Sequence, residues 1–304
     1  MKNIQNILLL IFVLTLFGST VSCDKVDDPY LGIETGSGGD TSVILNADSI
    51  WGDTGNTTIR KMMVEEITGQ LCGNCPPKTK LIVDWVDSEF MDKVLSVAFH
   101  ATAFATPNPK YPDDHRTIKG TKFNDDFGNV DAPVAVFNRL NLNGAGFIVQ
   151  GSKFETEFRK LISNVALGNP KVQLKILNIY DKDSLKNRLV ITLKALKNLT
   201  STHTAIIYVT EDPVLGDQVY YNNPNGDKDI FDTYEHRHMF RDAIGPLDGN
   251  SIISSSLSKG ESISKTFNYK LNTAWNAINC RYTIAIRNNA TGEIIQVDEV
   301  HAVK

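Results

Sequence analysis

The sequence predicts an α/β domain with a mixed sheet, followed by an all-β sandwich. Three observations carry this. From Ile59 to Gly168, short apolar runs alternate with segments of helical period. A Cys-x-x-Cys pair, Cys72 and Cys75, stands between the first of those runs and the first helix. Beyond Asn169-Pro170 the helical signals stop, and apolar residues alternate with polar ones. A chain of 304 residues is long enough for two cores. A net charge of −4 with no basic tract gives no reason to expect nucleic acid as a partner.

Residues 1–22 read as a signal peptide. Lys2 gives a thin positive start, and Ile7 to Phe17 is an apolar run too short to span a bilayer. It leads through Ser19-Thr20-Val21-Ser22 to Cys23, which resembles a bacterial lipoprotein signal. That resemblance implies a diacylated Cys23 as mature N-terminus and stable membrane anchor; the plainer reading is a cleaved secretory signal with Cys23 incidental. Asp24-Lys25-Val26-Asp27-Asp28 resembles the surface-export signal of bacteroidete lipoproteins, and reads equally as a solvated tether. Residues 23–58, rich in Gly, Asp, Ser and Thr, are expected to be a flexible tether in which Ile44, Leu45, Ile50 and Trp51 could dock as a short strand.

The α/β domain is expected over 59–169. Arg60 to Ile67 is the first strand, and a helix then runs to about Phe90. Pro76 and Pro77 suit its first turn, and Leu81/Trp85 with Ile82/Val86 make its apolar face. Val94 to Phe99 reads as a buried parallel strand. Residues 101–131 form an insertion with a helix near Thr117 to Phe127, and Ala132-Pro133 opens the strand that ends at Phe137. After a short strand at Phe147-Ile148-Val149, Ser152 to Ala166 is the clearest helix. Ser152 and Glu155 make a capping box, Phe154, Phe158, Leu161, Ile162 and Val165 share a stripe, and Gly168 closes the helix.

A Cys pair delivered by a strand to a helix N-terminus suits redox chemistry, because unpaired N–H groups and the helix dipole stabilise a thiolate. Cys72, the outer sulfur, would attack, and Cys75, one turn inward, would resolve the mixed disulfide. A structural disulfide or half of a zinc site are the other readings. Zinc needs four ligands, and no second Cys pair or Cys/His cluster has the spacing. No metal and no cofactor is therefore expected.

Residues 170–304 are expected to form an immunoglobulin-like β-sandwich. Val172/Leu174/Ile176, Leu189/Ile191/Leu193/Ala195, Ala205/Ile207/Val209, Ile284/Ile286 and Ile295/Val297 alternate, and Ser262 to Leu271 adds a strand. Cys280 lies on the apolar face and is expected buried and unpaired. Residues 212–250 read as a long connection. Asn222 to Asp229 within it is a turn rather than a calcium loop, and His236 and His238 are expected on one side of a polar strand.

The order of parts over 59–168, with Cys-x-x-Cys after the first strand and Pro133 leading the third, resembles the thioredoxin fold. The resemblance implies that Pro133 is a cis-proline beside the disulfide, against the alternative of a trans proline at a strand edge. It also implies that Glu66, six residues before Cys72, is a buried acid that moves the second thiol's proton; the alternative is a partly solvated strand-end residue, since Glu65 is adjacent and one of the two should face solvent or a loop. Leu71 in place of an aromatic, the dipeptide Gly73-Asn74 and the long insertion depart from thioredoxins.

Val64 to Pro76, Phe127 to Pro133 and Asn138-Arg139 together are similar to the twenty-eight-kilodalton outer-membrane lipoprotein family of bacteroidetes. This likeness implies an envelope location, periplasmic or surface-exposed, and for some members adhesion. Two functions are thus expected. The first is thiol–disulfide exchange on envelope proteins, with Cys72, Cys75, Glu66 and Pro133 as its site and His100, Phe104 and Tyr111 lining the insertion's wall. The second is a surface binding or adhesion lipoprotein in which the Cys pair is structural.

Overall fold

The computed structural model describes residues 49–53, 59–140, 147–162 and 169–303. The signal peptide, Cys23, most of the tether and the Gly168 cap lie outside the described residues. Within the expected tether, Ser49–Asp53 is a strand, β1, antiparallel to Val172–Asp181 (β6).

The first half is built on Met62–Thr68 (β2), which pairs in parallel with Val94–His100 (β3) and antiparallel with Val134–Phe137 (β4). Ile148–Gln150 (β5) adds to β4. Pro76–Asp84 is the first helix (α1), prolonged by a π-helical turn over Trp85–Glu89. Ile118–Asp126 (α2) begins where the Thr117 hydroxyl accepts from Gly120 N–H, an N-cap.

Phe154–Leu161 (α3) packs Phe158 flat on Trp85, with ring centroids 3.7 Å apart. The Ser152 capping box does not form. A 3-10 turn over Gly151–Lys153 displaces the helix start to Lys153, which has no side-chain cap.

The second half has β6, Lys186–Ala195 (β7), His203–Glu211 (β8), Val214–Val219 (β9), Asp229–His236 (β10), Met239–Ala243 (β11), Asn250–Ile253 (β12), Ser262–Lys270 (β13), Cys280–Asn288 (β14) and Ile294–His301 (β15). Two sheets face each other across a core of Leu174, Ile191, Ile207, Tyr282, Ile284 and Ile286. One is β1-β6-β7-β13. The other runs β15-β14-β8-β11-β3-β2-β4-β5, with β12 on β8. Cys280 is free and buried. The connection expected over 212–250 instead carries β9, β10 and β11; its Asn222 to Asp227 stretch is the turn between β9 and β10.

That second sheet joins the halves, which were expected to have separate cores. β11 pairs with β8 and touches β3 through a single parallel bridge, Met239 to Ala98. A shared core backs the junction. Met63, Ile67, Phe99 and Phe123 pack there with Ile206, Tyr208, Phe240 and Val297. On the other face of β2, Met62 and Val64 pack with Ile82, Trp85 and Phe158 beneath the helices.

Because successive strand residues point to opposite faces, and both faces of β2 are covered, Glu65 and Glu66 are both buried. The expectation that one of them faces solvent or a loop is thus wrong. Glu65 points toward the second half and accepts a bidentate pair from Arg139, Nε–H to Oε2 at 2.9 Å and Nη2–H to Oε1 at 2.7 Å. The Tyr208 hydroxyl donates to the same carboxylate at 2.9 Å. Burial opposes the Arg139 charge, but the Glu65 and Tyr208 contacts leave its pKa raised.

Asn138 and Arg139 hold φ of 48° and 49°, a left-handed turn that costs energy for arginine. Asn138 backs it by accepting from Met63 N–H through its side chain.

Removing Arg139 leaves a buried carboxylate unpaired, so Arg139→Ala is expected to lower unfolding free energy by about 3–5 kcal/mol. A Glu65→Gln/Arg139→Met double variant should lose markedly less; urea melts showing equal losses would refute the pairing.

Candidate functional site

The Cys loop leaves the end of β2 and enters α1. Cys72 N–H donates to Gly69 O at 2.9 Å, Cys75 N–H to Cys72 O at 3.0 Å, and Lys78 and Thr79 N–H to Cys75 O. Cys75 is the helix N-cap, with Pro76 and Pro77 in the first turn. The two sulfurs are bonded to each other.

The Ala132–Pro133 bond is cis. Since Val134 is paired with Ile67, Pro133 stands level with Thr68, where the Cys loop departs. Its carbonyl accepts from Gly151 N–H at 2.9 Å.

Glu66 lies on the helix side of β2. The Thr79 hydroxyl, one turn along α1 from Cys75, donates to Glu66 Oε1 at 2.7 Å. Burial pushes the carboxyl up to about 8, and the Thr79 bond only partly offsets it. Glu66 is therefore mostly protonated at pH 7, which fits the buried-acid reading and not the solvated one. A small cavity of about 10 Å³, room for one water at most, is lined by Cys75, Thr79, His100, Gln218, Tyr234 and His236.

Cys72 is not the exposed sulfur the sequence suggested. It is 3% exposed and Cys75 1%. The hairpin of β9 and β10 covers them. Val219 N–H donates to Gln70 O at 2.8 Å, Tyr221 N–H to Gly73 O at 2.9 Å, and Gln218 Nε2–H to Cys72 O at 3.2 Å. A Cβ on Gly73 would lie 2.5 Å from the Tyr221 ring, so only glycine admits this approach. The insertion closes the other side, where Leu71 N–H donates to Phe104 O at 2.8 Å. Tyr111 there hydrogen-bonds Asp229 of the hairpin.

His236 and His238 do not share a strand face. His238 turns left-handed after β10 and pairs with Asp212. His236 is buried against His100 and His115, with ring centroids 4.7 to 5.2 Å apart around the cluster. Burial lowers the pKa of all three, His236 to about 3. Among the described residues, no group of three His, Cys, Asp or Glu is placed to hold a metal ion, and no helix is long and apolar enough to cross a membrane.

Thr79, His115, Gln218 and Tyr221 escaped the sequence reading, and Arg139 entered it only within a family likeness, not as the partner of Glu65. Thr79 left a signal, as a polar residue on the inward face of α1.

Two opposite pH dependences follow. The Glu66 carboxyl titrates near 8 when folded and near 4.5 when unfolded, so between these the unfolded state holds fewer protons. Stability from the neutral carboxyl is full below pH 4.5 and falls as pH rises toward 8, by up to ~1.4 kcal/mol per unit. Glu66→Gln should therefore gain stability over the parent between pH 7 and 8; parallel curves would exclude a raised pKa. The histidines titrate lower folded than unfolded, so their contribution is intact above about pH 6.5 and is lost toward pH 3. His236→Phe should flatten the acid limb of the stability curve, and an unchanged limb would show that His236 is not held neutral.

The sequence model of the outer membrane protein Omp28 family matches residues 121–304, more than half of the chain. That span takes in Pro133, Arg139 and the covering hairpin, and begins after the Cys pair. No curated protein matches the chain. Among solved structures, HBP35 of Porphyromonas gingivalis is 16% identical with a TM-score of 0.56, covering 81% of this chain and 76% of that one, a likeness of fold. A domain of the outer membrane lipoprotein Omp28 from Porphyromonas gingivalis is 12% identical with a TM-score of 0.27, covering 43% of this chain and 87% of that one.

Proposed function

The chain belongs to the outer membrane protein Omp28 family, and from that premise we propose a lipoprotein, anchored through Cys23 on the periplasmic or external face of the outer membrane, that exchanges thiols and disulfides with envelope proteins. Family membership supports an outer-membrane location. We read residues 59–169 as a thioredoxin-like unit and the strands beyond as an immunoglobulin-like sandwich. The strand–Cys-x-x-Cys–helix order and the cis Ala132–Pro133 bond support the first reading, and the facing antiparallel sheets support the second.

The observation that carries the function is Glu66, a buried carboxyl kept largely protonated and hydrogen-bonded to Thr79, which lies one helical turn along α1 from Cys75. A group titrating near 8 is matched to a thiol of ordinary pKa near 8.5, so a proton passes between them at little cost. In the reduced form, the Cys72 thiolate attacks one sulfur of a substrate disulfide and expels the other as a thiolate. Glu66 in its ionised form takes the proton of Cys75, whose thiolate attacks the Cys72 sulfur and expels the second substrate sulfur as a thiolate. The two substrate thiolates take up one proton returned from Glu66 and one from water, so the substrate ends with two thiols and Cys72–Cys75 ends oxidised with two electrons lost. Read backwards, the same steps oxidise a dithiol.

A second reading, a surface binding or adhesion lipoprotein with a structural disulfide, is favoured by the burial of both sulfurs.

The reduction potential of the pair separates the two. Exchange predicts a value between about −270 and −120 mV, whereas a structural bridge lies below about −300 mV. In envelope extracts Cys75→Ser should then accumulate mixed disulfides through Cys72, and the Cys72→Ser control should not. A potential below about −300 mV with no trapped species would leave the binding reading.

A further inference from the structure

We propose that the hairpin of β9 and β10 is a gate that fills the approach to Cys72 as an extended polypeptide would, and that it must swing aside before the disulfide reacts. The proposal rests on the exchange reading above.

The contacts have the form of strand addition. Val219 and Tyr221, two residues apart, donate backbone N–H to Gln70 O and Gly73 O on either side of Cys72. The side-chain amide of Gln218, in β9, donates to the Cys72 carbonyl. The carbonyls of Gln70, Cys72 and Gly73 are thus met by a segment of the same chain more than 140 residues away. The Tyr221 ring lies over Gly73, in the space that a side chain there would claim.

The hairpin is also built to move as a body. Among the described residues it forms a two-stranded sheet of its own, with no ladder to either larger sheet. Beyond the three bonds at the Cys loop, its outer part is tied to the insertion by the Lys110–Asp229 ion pair, the Tyr111–Asp229 hydrogen bond and the stacking of Tyr111 on Phe231. The ion pair is largely solvent-exposed and weak, while the two Tyr111 contacts are partly buried. Leu215, Tyr221 and Phe231 expose apolar surface along it. Its buried contacts include the Gln218 amide on the Cys72 carbonyl and, at the other end, His236 between His100 and His115. A segment that belongs to neither large sheet and is held by few bonds opens at a free energy below that of global unfolding.

The test follows reduction of the oxidised full chain by dithiothreitol under native conditions. Two thiols of the reductant pass two electrons to Cys72–Cys75, giving two protein thiols and one cyclic disulfide. With a gate, the parent rate levels off at high dithiothreitol, at the rate of opening. Tyr221→Ala and Asp229→Ala, each loosening one attachment, should then react roughly 3–10-fold faster. The amides of Val219 and Tyr221 should exchange faster with solvent in both variants while the urea midpoint stays within error, which separates local opening from misfolding. Rates linear in dithiothreitol and equal in all three proteins would overturn the gate, as would rates that follow the urea midpoint. The equilibrium potential of the pair does not depend on how fast the hairpin opens, so loss of the gate leaves the exchange reading to be judged by that potential.

Discussion

The structure depends on β2 being covered on both faces. A strand enclosed by helices on one side and by the second half of the chain on the other cannot leave two adjacent carboxylates charged and alone. Glu65 and Glu66 meet this demand in opposite ways. Glu65 faces the shared core, where Arg139 and Tyr208 donate to its carboxylate oxygens. Glu66 faces the helix and is held neutral by burial, with only the Thr79 hydroxyl as partner. The first arrangement fastens β2 to β8 and to the turn after β4. The second leaves a neutral carboxyl on the helix side of β2, tied to α1 through Thr79.

The two halves are accordingly not independent modules. Tyr208 from β8 completes the Glu65 site, β9 and β10 complete the cover of Cys72, and His236 completes a cluster begun by His100 and His115. Sealing the disulfide costs direct access to Cys72. It also excludes water from the Glu66 side, which is the condition for a raised carboxyl pKa.

Much of the fold was legible in the sequence because period and punctuation are local. The apolar runs from Met62 and Val94, the prolines at the start of α1 and the alternation from Val172 to Ala195 each specify their element without help from the rest. Of the candidate site, the sequence brought forward Cys72, Cys75, Glu66 and Pro133, and the structure shows a buried disulfide, a buried carboxyl and a cis Ala132–Pro133 bond at these positions. What was not legible depends on partners distant in the chain. Nothing near Glu65 announces Arg139 or Tyr208, nothing near Cys72 announces Tyr221, and a polar stretch such as 212–250 reads as a loop until the surface it docks on is known. Ser152 failed as a cap for the converse reason. The local motif was present, but a 3-10 turn after β5 moved the helix start to Lys153.

The protonation of Glu66 is the point on which the site's chemistry turns, and infrared difference spectroscopy of the full chain against Glu66→Gln reads it directly. The account predicts a protonated-carboxyl band at pH 7 that is absent from the variant, titrates with a midpoint near 8 and shifts when Cys72–Cys75 is reduced. A Glu66 already ionised at pH 7, or a midpoint indifferent to the state of the disulfide, would contradict it.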